Sequence, residues 1–423
     1  SSVLAPGYQW DSFPSVSLAW RIDKENFMQN ASFVNALKLR AGMGVVGNQG
    51  IGPYASKGGL TQIFYNWSGT SSVPGYVASD PSAANPQKMA NPQLGWERTT
   101  QFNVGLDYGF FNNRINGAVD FYSTKTDDLL MSMLIPSILG YTSTNANVGK
   151  TKGWGIDFQL NTVNIQKQDF QWSTSLTWSK DKGEIVELAN GNLQDVGNRW
   201  FVGSELAVAY DLVYDGIWKT SEEAEAATFG RKPGQIRVKD LSGPDGVPDG
   251  IIDRNHDQQI IGSYRPKWSG GISNTFNYKN FELSFFIYSR WGFLVNAGAA
   301  TLDGRYMQRK LDYFIPGVNE DAEYYMPGSN GEAADTYSSS MNYRDGSFIK
   351  LRNVSFGYNV PMNKLQRIGA SNIKIYGQLM NPAMLYSKID FLDTDLSNYN
   401  NNSNQIGSSV TTRGFVLGLS VGF

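Results

Sequence analysis

The densest group of chemistry-bearing residues is an acidic loop at 240–257, with the sequence DLSGPDGVPDGIIDRNHD. Ca²⁺ takes several oxygen ligands in flexible geometry, and this loop crowds such oxygens around glycine turns. The candidate ligands are Asp245, Asp249, Asp253, Asn255 and Asp257. The EF-hand order is only partly met, because Gln258 replaces the loop glycine and no glutamate ends the motif. A surface loop rich in Asx turns explains the same residues, so both interpretations stay open.

Histidine and cysteine usage limits the remaining chemistry. The chain has no cysteine, which excludes disulfides, thiolate metal sites and a cysteine nucleophile. Its single histidine, His256, lies in the acidic loop, where we expect it to be solvated. A net charge of −2 offers no basic stripe for nucleic acid. We therefore expect no enzymatic activity, no required cofactor and no nucleic-acid partner.

Aromatic and amide side chains in the polar stretches are candidates for contact with a sugar or peptide. Rings offer apolar area for stacking, and their polar atoms offer hydrogen bonds. The main candidates are Tyr65, Trp67, Trp200, Tyr324 and Tyr399, and the further ones are Phe201, Tyr325, Asn400, Asn401 and Asn402. Packing within the loops explains these residues equally well.

The elements that would carry these loops are strands. Apolar residues alternate with small or polar ones, and a period of two predicts half-buried strands. In the segment 102–110, Val104 and Leu106 fall on one face, and Gly105 and Asp107 fall on the other. The same alternation occurs in the segments 114–122, 153–161, 171–179, 266–278, 281–289, 347–359, 372–381 and 413–423.

The lengths of these strands and of their connections favour a membrane barrel. We count roughly ten to twelve strands, each longer than the ~5–6 residues usual in soluble sheets. Tight turns such as 111–114 alternate with long polar stretches, which are 49–97, 181–265 and 294–345. No stretch of ~18 apolar residues predicts a transmembrane helix. The pattern predicts an all-β transmembrane antiparallel barrel with long extracellular loops and aromatic girdles at the strand ends.

A large soluble β-protein is the competing interpretation. A propeller would show a repeat of ~40–50 residues, and the sequence shows none. The residues opposite the apolar ones are mostly Gly, Ser, Asn and Asp, which suits a water-filled interior. These two observations favour the barrel.

The last strand carries the pattern that bacterial outer-membrane barrels present to their assembly machinery. Phe415, Leu417, Leu419, Val421 and Phe423 alternate strictly, and the sequence stops on the aromatic residue. An ordinary final strand is the alternative. The pattern leads us to expect the true C-terminus here, with any missing part preceding residue 1.

Sequence blocks spread over nearly the whole chain occur in the order found in one transporter family. They are FPSVSLAWRIDKENFM (13–28), LKLRAGMGVVGNQGIGPY (37–54), NPQLGWERTTQFNVGLDYGFFNNRINGAVDFYSTKTDDLL (91–130), NVGKTKGWGIDF (147–158), IGSYRPKWSGGI (261–272), DGSFIKLRNVSFGYNVP (345–361) and the end at 413–423. The chain thereby resembles the C-terminal half of SusC/RagA-type TonB-dependent transporters of the Bacteroidota outer membrane.

This resemblance implies a barrel of about 22 strands, plugged by an N-terminal domain, that imports large nutrients such as oligosaccharides or peptides. The implied partners are a SusD-type surface lipoprotein, TonB acting through the N-terminal plug region, outer-membrane lipid and the barrel assembly machinery. Residues 1–423 would then be the C-terminal portion of the barrel, and the plug and first strands would lie outside this chain. A passive barrel or a surface adhesin anchor is the alternative function.

Overall fold

The fold is described from a computed structural model, and strands make up most of its regular structure. The described residues are 1–52, 56–57, 61–67, 71–77, 89–136, 138, 141, 143–297, 312–328, 335–361, 370–390, 393–400, 403–406 and 411–422. Within these ranges, no helix is both long enough and apolar enough to cross a membrane.

The strands are numbered in chain order. Those up to residue 201 are β1 (Ser15–Arg21), β2 (Val34–Asn48), β3 (Thr61–Trp67), β4 (Ser71–Val77), β5 (Glu97–Phe110), β6 (Ile115–Asp127), β7 (Leu130–Leu134), β8 (Ser143–Asn147), β9 (Lys150–Gln166), β10 (Phe170–Glu187), β11 (Gln194–Asp195) and β12 (Trp200–Phe201). The later ones are β13 (Val208–Leu212), β14 (Tyr214–Ile217), β15 (Ile236–Val238), β16 (Gln258–Ser263), β17 (Trp268–Tyr278), β18 (Phe281–Trp291), β19 (Leu294–Asn296), β20 (Tyr343–Asp345), β21 (Phe348–Asn359), β22 (Asn372–Ser387), β23 (Ser397–Asn400), β24 (Ser403–Ile406) and β25 (Gly414–Gly422).

Helices are short and lie in the connections. The described α-helix is α1 (Glu223–Thr228), and the described 3₁₀ helices are Ile22–Lys24, Asn26–Met28, Ala189–Gly191, Thr220–Glu222, Ser340–Asn342 and Thr394–Leu396.

The chain divides into two compact units. Unit 1 comprises Ser1–Phe158 and Asp181–Leu206, and unit 2 comprises Gln159–Lys180 and Ala207–Phe423. The large antiparallel sheet runs β1-β2-β5-β6-β9-β10 in unit 1 and β9-β10-β17-β18-β21-β22-β25 in unit 2, because β9 and β10 contribute residues to both. The strands range from 7 to 18 residues, and their number among the described residues agrees with the sequence prediction.

The register of β5 and β6 in unit 1 confirms the faces predicted from alternation. Val104 lies opposite Phe121 and Leu106 lies opposite Val119, so one face of the pair is apolar. Gly105 lies opposite Asp120 on the other face. In the connecting turn Asn112 and Asn113 have φ values of 57° and 58°, a left-handed conformation that asparagine tolerates better than most residues. We call the two sides of the sheet the apolar face and the polar face.

A β-bulge changes the alternation within β21 in unit 2. The pairing with β18 shifts between Phe286, opposite Asn353, and Ile287, opposite Leu351, so that Arg352 is the extra residue. Before the bulge, the apolar-face residue of β21 is Leu351, opposite Ile287 of β18, and after the bulge it is Val354, opposite Phe285. The extra residue therefore reverses which positions of β21 point to each face.

The apolar face is exposed, which decides between a membrane barrel and a soluble β-protein. Leu18 in unit 1 is 74% exposed, and Leu417 in unit 2 is 73% exposed. A soluble sheet would bury such residues against a second layer. These exposed residues of the described strands are therefore not packed against a second sheet.

Short and long connections lie at opposite ends of the strands. At one end the connections are the segments 22–33, 111–114, 167–169, 279–280 and 360–371, and at the other end they are the segments 49–96, 128–149, 188–267, 292–347 and 388–413. We call these two ends of the strands the turn edge and the loop edge. The predicted asymmetry is confirmed, although the segments 128–149 and 388–413 were not predicted as long loops.

The described loop segments of unit 2 have small hydrophobic cores of their own. One core contains Leu212, Ile236, Val238, Tyr324 and Met341. A second contains Phe293, Val295, Phe348 and Ile389, and it joins the loop edge of β21 to the segment that follows β22. These cores give the long connections fixed structure where they leave the sheet.

Candidate functional site

The polar face of unit 1 carries a charged cluster shared by three strands. Arg40 of β2 binds Asp107 of β5 through Nε, at 3.0 Å, and through Nη2, at 2.7 Å. The same guanidinium reaches Asp120 of β6 at 2.9 Å. Gly105 of β5 lies between Arg40 and Asp120 in register, and a Cβ there would lie 2.7 Å from the Arg40 guanidinium carbon. The absent side chain of Gly105 therefore makes room for this ion pair.

The polar face of unit 2 carries a second charged cluster at the loop edge. The Lys350 side chain, 3% exposed, contacts Asp393 at 2.6 Å and Asp395 at 3.3 Å. Arg352 donates to Asp395 from Nε at 3.0 Å and stacks on the Tyr288 ring at 3.8 Å. These bonds attach the start of the 388–413 segment to β21. We call this set of ion pairs the strap.

Asp393 of the strap is held ionised by its neighbours. Burial acts to raise the pKa of this carboxyl, but hydrogen bonds from Lys350 and Thr411 outweigh burial and bring the pKa below its usual range. The Thr411 hydroxyl donates to Asp393 at 2.5 Å. Both ends of the 388–413 segment are therefore tied to one carboxylate.

The acidic loop uses its carboxylates to hold its own backbone. Asp257 is buried and accepts from the amides of Leu241 at 2.7 Å and Asp253 at 2.8 Å. Asp249 accepts from the amide of Ile251, whereas Asp245 and Asn255 are exposed. Across the part of the chain that the structure describes, no three His, Cys, Asp or Glu residues are placed to hold a metal ion. Calcium binding by this loop stays a prediction.

His256 is partly exposed and paired rather than simply solvated. Its Nδ1 lies 2.8 Å from Asp253 Oδ2, and this hydrogen bond raises the pKa of the imidazole. The Asp253 carboxylate also accepts from the amides of Asn255 and His256. This arrangement caps a turn of the loop.

The predicted contact residues occupy different environments. Tyr324 is 4% exposed in a hydrophobic core, a placement that gives it a packing role. Phe201 and Tyr325 are half-buried. The backbones of Tyr65, Trp67, Tyr399 and Asn400 lie in β3 and β23, but their side chains are outside the described part of the chain, as are residues Asn401 and Asn402.

A small cavity at the loop edge of unit 1 is lined in part by Asp195, the strand partner of Trp200 across β11 and β12. Trp200 is half-buried, and its indole N–H is buried without a hydrogen-bond partner. The cavity measures about 200 Å³ and is lined by Met131, Ser132, Met133, Leu188, Ala189, Asn192, Gln194 and Asp195. Apolar side chains and amides converge there, so the cavity can take a small, partly polar group.

The predicted assembly residues share one face of the last strand. Phe415, Leu417, Leu419 and Val421 are all exposed on the apolar face of β25, and Phe423 lies outside the described residues. Their placement agrees with the predicted pattern, whereas recognition by the assembly machinery stays a prediction.

Comparison with known proteins identifies the family. Residues 4–374 match the family model described as TonB dependent receptor-like, beta-barrel. The chain belongs to this family. As in its members, the large sheet is part of an outer-membrane β-barrel, so the apolar face meets lipid and the polar face lines the interior.

Individual relatives support the SusC/RagA resemblance. TonB-dependent receptor P26 of Formosa agariphila is 31% identical over 453 residues, covering 100% of this chain and 43% of the relative. TonB-dependent receptor SusC of Bacteroides thetaiotaomicron is 28% identical, covering 100% of this chain and 41% of SusC. The chain therefore spans less than half the length of these curated relatives.

A solved structure shows the same fold. The RagAB peptide transporter matches with a TM-score of 0.76 at 22% identity, covering 99% of this chain and 44% of that chain. At this identity the match supports the barrel fold alone.

Proposed function

We propose that the polypeptide carrying this chain is a SusC-like, TonB-dependent importer of large nutrients, either oligosaccharides or peptides. The observation that supports this most is the 28% identity to SusC over the whole chain. The charged cluster of Arg40, Asp107 and Asp120 on the polar face suits a wet interior through which hydrophilic cargo can pass. Import needs no covalent change in the cargo, and we propose no enzymatic activity.

We further propose a SusD-type surface lipoprotein as partner and TonB as the source of the driving force, acting through an N-terminal plug region. In the described sheet, β1 and β25 are edge strands. Open edges are not tolerated in lipid, so further strands must pair with them. We propose that these strands belong to the same longer polypeptide and complete a barrel of about 22 strands.

The cavity lined by Gln194 and Asp195 is our candidate for one cargo contact. It lies in the loop segments where a ligand arriving from outside would first meet the barrel, and its amides can bond to hydroxyl or peptide groups. Trp200, the strand partner of the cavity-lining Asp195, stays a candidate contact through its ring, whereas its indole N–H is buried. Both features suit oligosaccharides and peptides alike.

Uptake in living cells tests the proposal. A strain lacking the gene is complemented with the intact gene, and accumulation of labelled oligosaccharides and peptides is measured with and without TonB. We expect uptake of one cargo class that stops when TonB is removed. Uptake that continues without TonB would instead establish a passive barrel, and surface binding without uptake would establish an adhesin anchor.

A further inference from the structure

The cavity at the loop edge of unit 1 is lined by segments of two short strands. Met131, Ser132 and Met133 of β7 line it together with Gln194 and Asp195 of β11. Among the described residues, β7 pairs only with β8, and β11 pairs only with β12. Each of the two strands therefore has one edge that no described strand covers. We call the cavity and these two strand segments the slot.

The register of β7 determines which of its backbone groups point away from β8. The amide of Val148 donates to the carbonyl of Leu129 just before the strand pair begins. Because bonded and non-bonded residues alternate in an antiparallel pair, the N–H and C=O groups of Ser132 point to the outer edge of β7. The amide of Leu130 agrees with this alternation, since it donates to the Glu97 carboxylate. Ser132 thus offers one donor and one acceptor at the slot.

The same alternation applies to β11. The amide of Val202 donates to the carbonyl of Leu193, so Gln194 is the residue of β11 whose backbone groups point away from β12. Because Ser132 and Gln194 both line the cavity, two strand edges offer backbone donors and acceptors to its contents. An extended peptide can bond to strand edges in this way through its own N–H and C=O groups. An oligosaccharide has no such repeating ladder of amides.

The cavity within the slot suits one long side chain with a cationic tip. Met131, Met133 and Leu188 supply apolar surface, and methionine adapts to irregular shapes. Of the described residues that line the cavity, Asp195 is the charged one. Its Oδ1 and Oδ2 accept from the amide and side chain of Asn198 at 3.0 Å and 2.8 Å, and each oxygen can accept a further bond. Lysine and arginine combine an apolar stem with a charged donor.

We propose that the slot binds an extended segment of a cargo peptide and holds a lysine or arginine side chain of it in the cavity. Backbone bonds at Ser132 and Gln194 recognise the main chain that all peptides share, and Asp195 selects the side chain. The long connections of such barrels are extracellular, so the slot lies where cargo arrives. This inference rests on the proposed function and chooses between its two cargo classes.

Equilibrium binding of synthetic peptides to the intact polypeptide in detergent tests the proposal. The probe is a short peptide of alanine and serine with one central lysine, and the comparison peptide has glutamate in place of that lysine. We expect the lysine peptide to bind the wild type at least tenfold more tightly. Asp195→Asn should weaken its binding about tenfold, because a hydrogen bond to a charged group is lost. The matched control is Asp245→Asn, an exposed carboxylate of the acidic loop, which should bind as the wild type does.

A change in the peptide covers the case in which Asp195→Asn fails to fold. Methylating alternate backbone nitrogens of the lysine peptide removes main-chain donors, and its binding to the wild type should weaken about threefold to tenfold for each bond lost. Equal affinities for the lysine and glutamate peptides would overturn the proposal. Unchanged affinity of the methylated peptide, or an equal loss in Asp195→Asn and Asp245→Asn, would overturn it as well.

Uptake in cells separates this inference from the proposed function. TonB-dependent uptake of oligosaccharides, with no binding of the lysine peptide, would overturn the inference and leave the importer in place. Binding of the lysine peptide through Asp195, with no TonB-dependent uptake of either cargo class, would contradict the importer and leave the peptide site in place. We expect TonB-dependent uptake of the lysine peptide that falls in Asp195→Asn.

Discussion

At the scale of single residues, a glycine and a few carboxylates determine how charges are arranged on the polar face of the barrel wall. Arg40 can reach Asp120 only across the backbone of Gly105, which lies between them in register. In the acidic loop, by contrast, the carboxylates accept hydrogen bonds from backbone amides of the same loop. The same residue types therefore connect strands in one place and shape a loop in another.

Replacing Gly105 by alanine should disturb the charged cluster of unit 1. The added Cβ would lie 2.7 Å from the Arg40 guanidinium carbon and must displace it from Asp120. We expect a loss of about 1–3 kcal/mol in the free energy of unfolding, as for other overpacked sites. Denaturant unfolding in detergent measures this. Gly52→Ala is the control, because no atom lies within 4 Å of the Cβ that it adds; equal effects of both variants would contradict the assignment.

Acid should weaken the strap through Asp393. Since its folded-state pKa lies below the unfolded value of about 3.9, the carboxylate stabilises the fold above that pH, and the contribution is lost as the pH falls through the folded value. We expect the melting temperature of the wild type to fall more than that of Asp393→Asn between about pH 6 and about pH 3. Asp245→Asn, in the exposed part of the acidic loop, should follow the wild type. Parallel curves for wild type and Asp393→Asn would refute this role.

The calcium prediction can be tested in the loop itself. Ca²⁺ would have to compete with the amides that Asp249, Asp253 and Asp257 already bind. If the loop is a calcium site, hydrogen exchange in 240–257 should slow when Ca²⁺ is added and recover with a chelator. Equal exchange under both conditions leaves the Asx-turn loop as the correct interpretation.

At the scale of elements, alternation predicted what depends on local sequence and failed where distant segments meet. The faces of β5 and β6 follow from the order of residues along each strand, so Val104 and Phe121 were placed correctly. The strap was not predicted, because Lys350 and Asp393 are joined only by the fold. The feature of the sequence that could have indicated the strap is Lys350, a charged residue in a strand whose polar and apolar residues alternate. The burial of Tyr324 was not predicted for a related reason, since a loop with its own core looks polar in sequence.

Breaking the strap should release the 388–413 segment. Lys350→Met leaves Asp393 buried without its ammonium partner, and removing one member of a buried pair costs about 3–5 kcal/mol. Limited proteolysis should then cut after residue 388 much faster than in the wild type. Lys24→Met, which removes an exposed lysine from a pair, should change neither stability nor cleavage. Unchanged cleavage in Lys350→Met would show that the second hydrophobic core alone holds the segment.

At the scale of the whole molecule, one surface must meet lipid and the opposite surface water. The exposed alternation of β25 makes this testable at neighbouring positions. Leu417→Arg puts a charge into the lipid-facing band and should cost about 2–4 kcal/mol near the midplane. We expect less heat-modifiable, folded protein in the outer membrane. Ser420→Arg points to the polar face and should assemble normally; failure of both variants alike would contradict the assigned faces.

The bulge at Arg352 determines where β21 can lose one residue without reversing its two faces. Leu351 and Val354 both point to lipid because one surplus residue separates their two alternating runs. Deleting Arg352 would make the pairing with β18 regular and leave each apolar and polar side chain of β21 on its present face. Deleting Ser355 would instead turn one run inside out. The alternation of β21 therefore does not need Arg352, whose side chain instead binds Asp395.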